Sequence, residues 1–361
     1  MLTRQVCEAA FSDAVRACDP AERVRAALAR EPVRGEAVLG LAIGKAAHAM
    51  ARGAGPVSRG LVVAASDHGP PLPEGWELLL ASHPVPDATS LAAAVAAVAL
   101  VESARSQDVV IALISGGASA LVELPRDGHT LEELVDQTGR AMAAGASIRE
   151  LNALRTQLSA IKGGKLAARS QAPLVTLVVS DVIGDDPHVI GSGPTVADRP
   201  GDRTEVVAPM ASFGEAMTAA LAAHGVVARR ITEPIAADVR DVASQLVGMT
   251  GPVLAWGEPT VRVPDDHGEG GRAQQLALEL ARLLRGSGRS AFVAGSDGID
   301  GPTRAAGAYV DGTTWDEIEA AGIDAEAALR RCDAGRALAA VGSLVITGPT
   351  GINHADVVVL A

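Results

Sequence analysis

The sequence predicts a two-domain α/β protein, with a parallel sheet through most of its length and a mixed sheet in the last third. Three observations carry that expectation. Residues 174–179 and 109–114 are continuous apolar, largely β-branched runs, which read as strands buried on both faces. These runs stop abruptly in loops of Gly, Ser and Asp that lead back into helical patterns, and open α/β sheets place their chemistry just beyond the carboxyl ends of strands. After Thr250-Gly251-Pro252 the strand-like runs become shorter and more closely spaced, as in a mixed sheet.

Taken in order, residues 3–17 and 20–31 read as helices, the second capped by Asp19 and opened by Pro20. Residues 37–43 form the first strand and run into Gly44-Lys45-Ala46-Ala47, where a helix begins. Strand, glycine, lysine, helix is a layout that aims backbone N–H groups at an anion. It matches neither GxxxxGK[ST] nor GxGxxG. Strands are expected at 60–65 and 77–81, then a loop with His83 between fixed prolines and Asp87 capping an Ala-rich helix. His83 reads as a structural hydrogen-bonder more readily than as a substrate contact. Strand 109–114 ends in Ser115-Gly116-Gly117-Ala118-Ser119, a second glycine loop at a strand end, whose backbone amides can approach an oxyanion.

Helices are expected at 130–146 and 150–169, the latter carrying Arg155, Gln157 and Ser159 and breaking at Gly163-Gly164. Strand 174–179 follows and ends in Ser180 and Asp181, with Asp185 and Asp186 next and then Gly191-Ser192-Gly193-Pro194-Thr195. Turn formation explains one or two of these acids. The whole cluster points instead to a metal–phosphate site. Residues 196–207 read as a surface connection, followed by helices 209–223 and 234–247 about a short strand 225–231.

In the last third, strands are expected at 253–256, 260–263, 291–294, 308–310, 344–347 and 357–360. Arg272 sits behind Gly270-Gly271 in the first turn of a helix, where a cation opposes the helix dipole. A forked clamp on a phosphate or carboxylate explains it better than helix propensity. Asp297, Asp300 and Arg304 follow another strand end. Thr314 and Glu317 fit a capping box. Residues 348–354 close the series with Asn353.

Composition limits the partners. The 361 residues suffice for two cores, divided here as 1–248 and 249–361. A net charge of −12 argues against a nucleic-acid or anionic membrane surface. Cys7, Cys18 and Cys332 are scattered as reduced thiols would be, and no signal-peptide pattern opens the chain, so a cytoplasmic protein is expected. Residues 91–101 are too few to span a bilayer. Of 31 basic residues only Lys45, Lys162 and Lys165 are lysines, and all adjoin glycine. A compact ammonium beside glycine suits a phosphate, most clearly at Lys45.

Eight motifs together resemble one family. IGKAA (43–47), HPVPD (83–87), LISGGASAL (113–121), LSAIKGGKLA (158–167), SDVIGDDPHVIGSGPT (180–195), GGRAQQLAL (270–278), GSDGIDGPTRAAGA (295–308) and TGPTGINHADVVVL (347–360) span nearly the whole chain in order. They are similar to those of the type II glycerate 2-kinases, which carry a C-terminal MOFRL domain and are often labelled hydroxypyruvate reductases. The resemblance implies a Rossmann-like N-terminal domain with a mostly parallel sheet, a smaller mixed α/β C-terminal domain and an active site in a cleft between them. It implies phosphorylation of D-glycerate to 2-phosphoglycerate with ATP and Mg²⁺ as cofactors. No nucleic acid or membrane partner is expected, and a homodimer is a possible assembly. Family emphasis falls on Lys45 and Arg272.

In that reading the amides of Ser115, Gly116, Gly117 and Ser119 and of Gly191, Ser192 and Gly193 cradle phosphate. Asp181 or Asp185 holds Mg²⁺ or takes the hydroxyl proton. Arg272, with Arg304, clamps the substrate carboxylate or the γ-phosphate, and Asp297 and Asn353 complete the binding set. The chain departs from the family pattern at Ala118, Gln157, Ala273 and Ser296, which makes nucleotide binding a firmer expectation than the acceptor. Three rivals remain: a kinase for another small hydroxy acid, an NAD(P)H-dependent hydroxypyruvate reductase, which lacks its GxGxxG loop here, and a non-catalytic ligand-binding relative.

Overall fold

A computed structural model describes residues 2–67, 69, 71–145 and 148–361. Two compact units emerge. One comprises residues 19–209 and 351–353, the other residues 1–18, 210–350 and 354–361.

The first unit is built on six parallel strands: β1 (Val38–Ile43), β2 (Arg59–Ala64), β3 (Trp76–Leu80), β4 (Val109–Ile114), β5 (Leu174–Val179) and β6 (Arg203–Ala208). Their order is β3-β2-β1-β4-β5-β6, the doubly wound arrangement. Alternation along the strands divides the core in two. Leu41, Ile43, Val110, Leu174 and Val178 face one layer, which includes Ala93, Ala97 and Leu121. Ala42, Ile111, Leu113, Val175 and Leu177 face the other, with Val24, Ala47 and Met50. Asp19 and Asp87 cap their helices as the sequence predicts, Asp87 in a capping box with Ser90.

Three expectations in this unit are corrected. The polar stretch read as a surface connection contains β6, an edge strand whose pattern is only half buried. Asp202 just before it accepts from Leu174 N at 2.9 Å and so fixes the start of β5. The helix expected through 169 ends at Leu158, because Lys165 Nζ turns back onto the carbonyls of Thr156 and Ser159 and terminates it. The helix expected over 130–146 runs Leu131–Ala143, and its position 146 lies outside the described residues.

The second unit holds the mixed sheet: β7 (Arg229–Arg230), β8 (Val253–Gly257), β9 (Ser290–Gly295), β10 (Gly307–Asp311), β11 (Leu344–Val345) and β12 (Asp356–Leu360), ordered β11-β10-β9-β12-β8-β7. Only β7 and β8 run parallel among these pairs. One face buries Val253, Val293, Val310 and Val358 against the helix Arg272–Leu284. On the other, Phe292 meets Phe11, which stacks edge-on to Phe213.

Those aromatic contacts explain why helix Arg4–Ala17 and residues 210–248 join this unit, although the sequence placed them with the first one. The expected strand 260–263 is absent, reduced to one bridge from Thr260 to Asp238. The expected capping box at 314–317 is absent too, since Thr314 Oγ1 accepts from Asp311 N at 2.9 Å instead.

Candidate active site

In the parallel-sheet unit, β1 and β4 are neighbours whose following helices pack on opposite faces, so their carboxyl ends flank the point where a doubly wound sheet opens a crevice. The two glycine loops stand there. Lys45 N donates to Gly116 O at 2.9 Å and links them directly. The buried Ser115 hydroxyl accepts from Ala46 N at 3.0 Å. Ser115 is therefore a brace between the loops. Its own amide is spent on Ile43 O, which corrects its assignment to the phosphate cradle. The amides of Gly116 and Gly117 make no hydrogen bond among the described residues. They are the open donors of this loop.

Gly116 is glycine for a second reason. A Cβ on it would overlap the Asp181 carboxylate and the Asn353 side-chain nitrogen. Asn353 Nδ2 donates to Asp181 Oδ2 at 2.9 Å. Gly117 has a φ of 86°, a left-handed conformation that favours glycine. A Cβ there would lie 3.2 Å from the His83 ring and 3.5 Å from Lys45 Cγ. The exposed Lys45 and the half-buried His83 thus flank Gly117. The fold brings together Lys45, Gly116, Gly117, Asp181 and Asn353, and adds His83, which its sequence context alone marks as a structural hydrogen-bonder.

The loop after β5 behaves differently. Asp186 is a turn former: its Oδ1 accepts from His188 N at 2.9 Å, and its carbonyl accepts from Val189 and Ile190. Asp185 sits in a left-handed turn closed by its own amide onto Val182 O. Gly191, Ser192 and Gly193 have φ of 59°, 63° and 54°. The Ser192 and Gly193 amides are spent on Val189 and Ile190 carbonyls, so they do not cradle phosphate. That assignment is corrected. Their carbonyls accept from Gly163 and Gly164, and Ser192 Oγ lies 3.1 Å from Ser119 Oγ and 3.2 Å from Asn152 Oδ1. Gly191 packs against the Ala118 side chain, so the departure to Ala118 is a packing contact.

Lys162 is structural. It is buried in an ion pair with Glu123 and donates to Ser119 O at 2.8 Å, anchoring the turn after Gly117 from beneath. Burial pushes its ammonium toward the neutral form, and Glu123 opposes that.

In the mixed-sheet unit, Arg272 opens the helix Arg272–Leu284 with one edge of its guanidinium already held by acids. Its Nε donates to Asp356 Oδ2 at 2.6 Å, and its Nη2 reaches Asp356 Oδ1 at 3.3 Å and Glu258 Oε1 at 2.8 Å. Nη1 makes no hydrogen bond among the described residues. Asp300 replaces a side-chain cap at Gly271: its two oxygens accept from Ala273 N at 3.1 Å and Gln274 N at 2.8 Å. These carboxylates answer the unfavourable position of Arg272 in the helix dipole. Burial pushes Asp300 up to about 7, with Asp356 adding to the rise. Burial pushes Asp356 up to about 6, against the pull of Arg272. Asp297 accepts from Ile299 N at 3.1 Å, and Arg304 is exposed, lining a cavity with Thr303, Arg331 and Arg336. Ala273 is wholly buried in the core and Gln157 is exposed. Sequence reasoning missed Glu258 and Asp356 because the partners lie 14 and 84 residues from Arg272.

No group of three or more His, Cys, Asp or Glu side chains among the described residues is arranged to hold a metal. No helix among them is long and apolar enough to cross a membrane.

Comparison with known proteins extends this picture. A family model described as a domain of unknown function, DUF4147, matches residues 6–224, and the MOFRL family model matches residues 252–356. The chain is 32% identical over 378 residues to a protein of Pyrococcus horikoshii named glycerate 2-kinase, covering 88% of this chain and 86% of that one. It is 35% identical over 413 residues to a protein of Agrobacterium vitis whose name refers to hydroxypyruvate reductase, covering 98% and 93%. The crystal structure of a glycerate kinase from Thermotoga maritima superposes with a TM-score of 0.85 at 30% identity, covering 99% of this chain and 98% of that one.

Proposed function

Because the chain belongs to the glycerate kinase family that carries a MOFRL domain, we propose that it transfers the terminal phosphoryl group of ATP to the 2-hydroxyl of D-glycerate. The observation that carries this reading is the junction of Lys45 with Gly116 at the carboxyl ends of β1 and β4, where two open amides, the Lys45 side chain and the Asp181 carboxylate come together.

Phosphoryl transfer asks mainly for positioning and charge stabilisation. The Gly116 and Gly117 amides donate to phosphate oxygens. Lys45 neutralises charge on the transferring group as a compact ammonium. In the mixed-sheet unit, Asp356 and Glu258 fix one edge of Arg272 in advance, and Nη1 is the edge that can meet an anion. Asp181 keeps one oxygen on Asn353.

Mg²⁺ is commonly held by one or two carboxylates together with substrate phosphates. Asp181 beside the Gly116 loop is a donor of that kind, with Asp185 as the second candidate. When bound, the ion would neutralise charge that develops on the phosphate oxygens. Asp181 is otherwise the group that accepts the proton of the 2-hydroxyl.

A reductase would bind its dinucleotide at the same crevice through GxGxxG. Neither Gly44-Lys45-Ala46-Ala47 nor Ser115-Gly116-Gly117-Ala118-Ser119 has that spacing, and this favours the kinase. The test is release of ADP from Mg-ATP that depends on D-glycerate. Oxidation of NADH by hydroxypyruvate without ATP would point to the reductase instead.

A further inference from the structure

We propose that Arg155 binds the carboxylate of the hydroxy-acid substrate, an inference that rests on the kinase reading above. Arg155 is half-buried near the end of the helix Ile148–Leu158. Among the described residues it makes no hydrogen bond and no ion pair. Elsewhere the chain matches arginine after arginine to an acid, as in Arg52–Asp19, Arg169–Glu102 and Arg203–Glu31. Among the described residues the carboxylate acting on Arg155 is Glu123, and Lys162 already holds it.

The surroundings are over-supplied with positive charge. Burial weakens the protonated form of Arg155, Arg155 weakens that of Lys162, and Arg126 does the same to Lys165, all about one buried glutamate. A charge taken out of water without a counter-ion lowers stability. Such a cost persists where a ligand supplies the missing partner.

The position fits an anion bound beside the glycine loop. Asn152, three residues before Arg155 and therefore on the same helix face, donates to Val189 O at 3.3 Å and accepts from the Ser192 hydroxyl. Ser192 in turn touches Ser119, two residues past Gly117. This face is thus pinned to the loops that follow β4 and β5, the strands that present Gly116 and Asp181. A guanidinium fork matches a carboxylate with two parallel bonds. The phosphate already has the Gly116 and Gly117 amides and Lys45, and Lys162 is occupied by Glu123 and Ser119 O.

The experiment compares wild type with Arg155→Met and Arg155→Lys by steady-state kinetics, varying D-glycerate and ATP separately, and by thermal melting. Loss of a charge-assisted fork predicts a rise in KM for glycerate of roughly 10- to 100-fold in Arg155→Met, with KM for ATP within about threefold. Arg155→Lys recovers only part of the loss. Removing an uncompensated charge predicts that Arg155→Met melts no lower than wild type, an outcome a structural arginine would not give. An unchanged KM for glycerate, an equal rise in both KM values, or a lowered melting temperature with unchanged kinetics overturns the assignment of Arg155 alone. Absence of glycerate turnover in wild type overturns the kinase reading and this inference with it.

Discussion

Gly116→Ala tests the site where its geometry is tightest. Gly116 does not have a left-handed φ, so an alanine brings no backbone strain, and its effect comes from one methyl group. That methyl would occupy the space of the Asp181 carboxylate and the Asn353 amide. Restoring ordinary contact requires the carboxylate to move on the order of 1.5 Å, and the 2.9 Å bond from Asn353 breaks with it. Overpacking of this kind costs about 1–3 kcal/mol of stability, which leaves most domains folded.

A displacement of about 1 Å at a reacting group costs around 100-fold in rate. The expected result is a folded variant with kcat lowered roughly 100-fold, followed by ADP release in a coupled assay. Adding Asp181→Asn to Gly116→Ala should cost far less than it does in wild type, because the methyl has already removed that carboxylate from its post. Retention of kcat within about threefold, or strict multiplication of the two losses, would refute the placement of Asp181 against Gly116.

Two further outcomes follow from the same geometry. Lys45→Ala should lower kcat roughly 100- to 1000-fold without loss of fold, the usual loss for one electrostatic donor; intact turnover would leave Lys45 as a helix-start residue only. Asp300 and Asp356 bind their protons more tightly folded than unfolded, from a common starting value of 3.8 to about 7 and about 6. The native state therefore holds the extra protons, and their stabilising contribution, complete below about pH 4, is lost as pH rises through 6 and 7 by roughly 1.4 kcal/mol per pH unit for each group still titrating. Urea unfolding of Asp300→Asn between pH 5 and 8 should show a shallower decline than wild type, and parallel pH slopes would contradict the burial argument.

The sequence made legible what local patterns encode. β1, β4 and β5 are short apolar runs whose burial on both faces follows from the absence of polar alternation, and the loops that end them announce Lys45, Gly116, Gly117 and Asp181. What depends on distant pairing was hidden. β6 begins with Arg203 and Glu205, as an edge strand can, and polarity disguised it as a connection. Phe11 carries no sign that it stacks with Phe213 and Phe292, so the first helix appeared to belong to the parallel sheet. Lys162 and Lys165 look like phosphate ligands until Glu123, Thr156 and Ser159 are seen to hold them. Ser192 and Gly193 have the composition of a cradle, but left-handed backbones turn their amides inward.

The central claim is best tested by the product. Purified protein given Mg-ATP and D-glycerate should release ADP in step with a new phosphomonoester whose proton-coupled ³¹P signal is a doublet, from phosphate on the single-hydrogen carbon 2. A triplet from carbon 3, or ADP release no greater than without glycerate, would contradict the account.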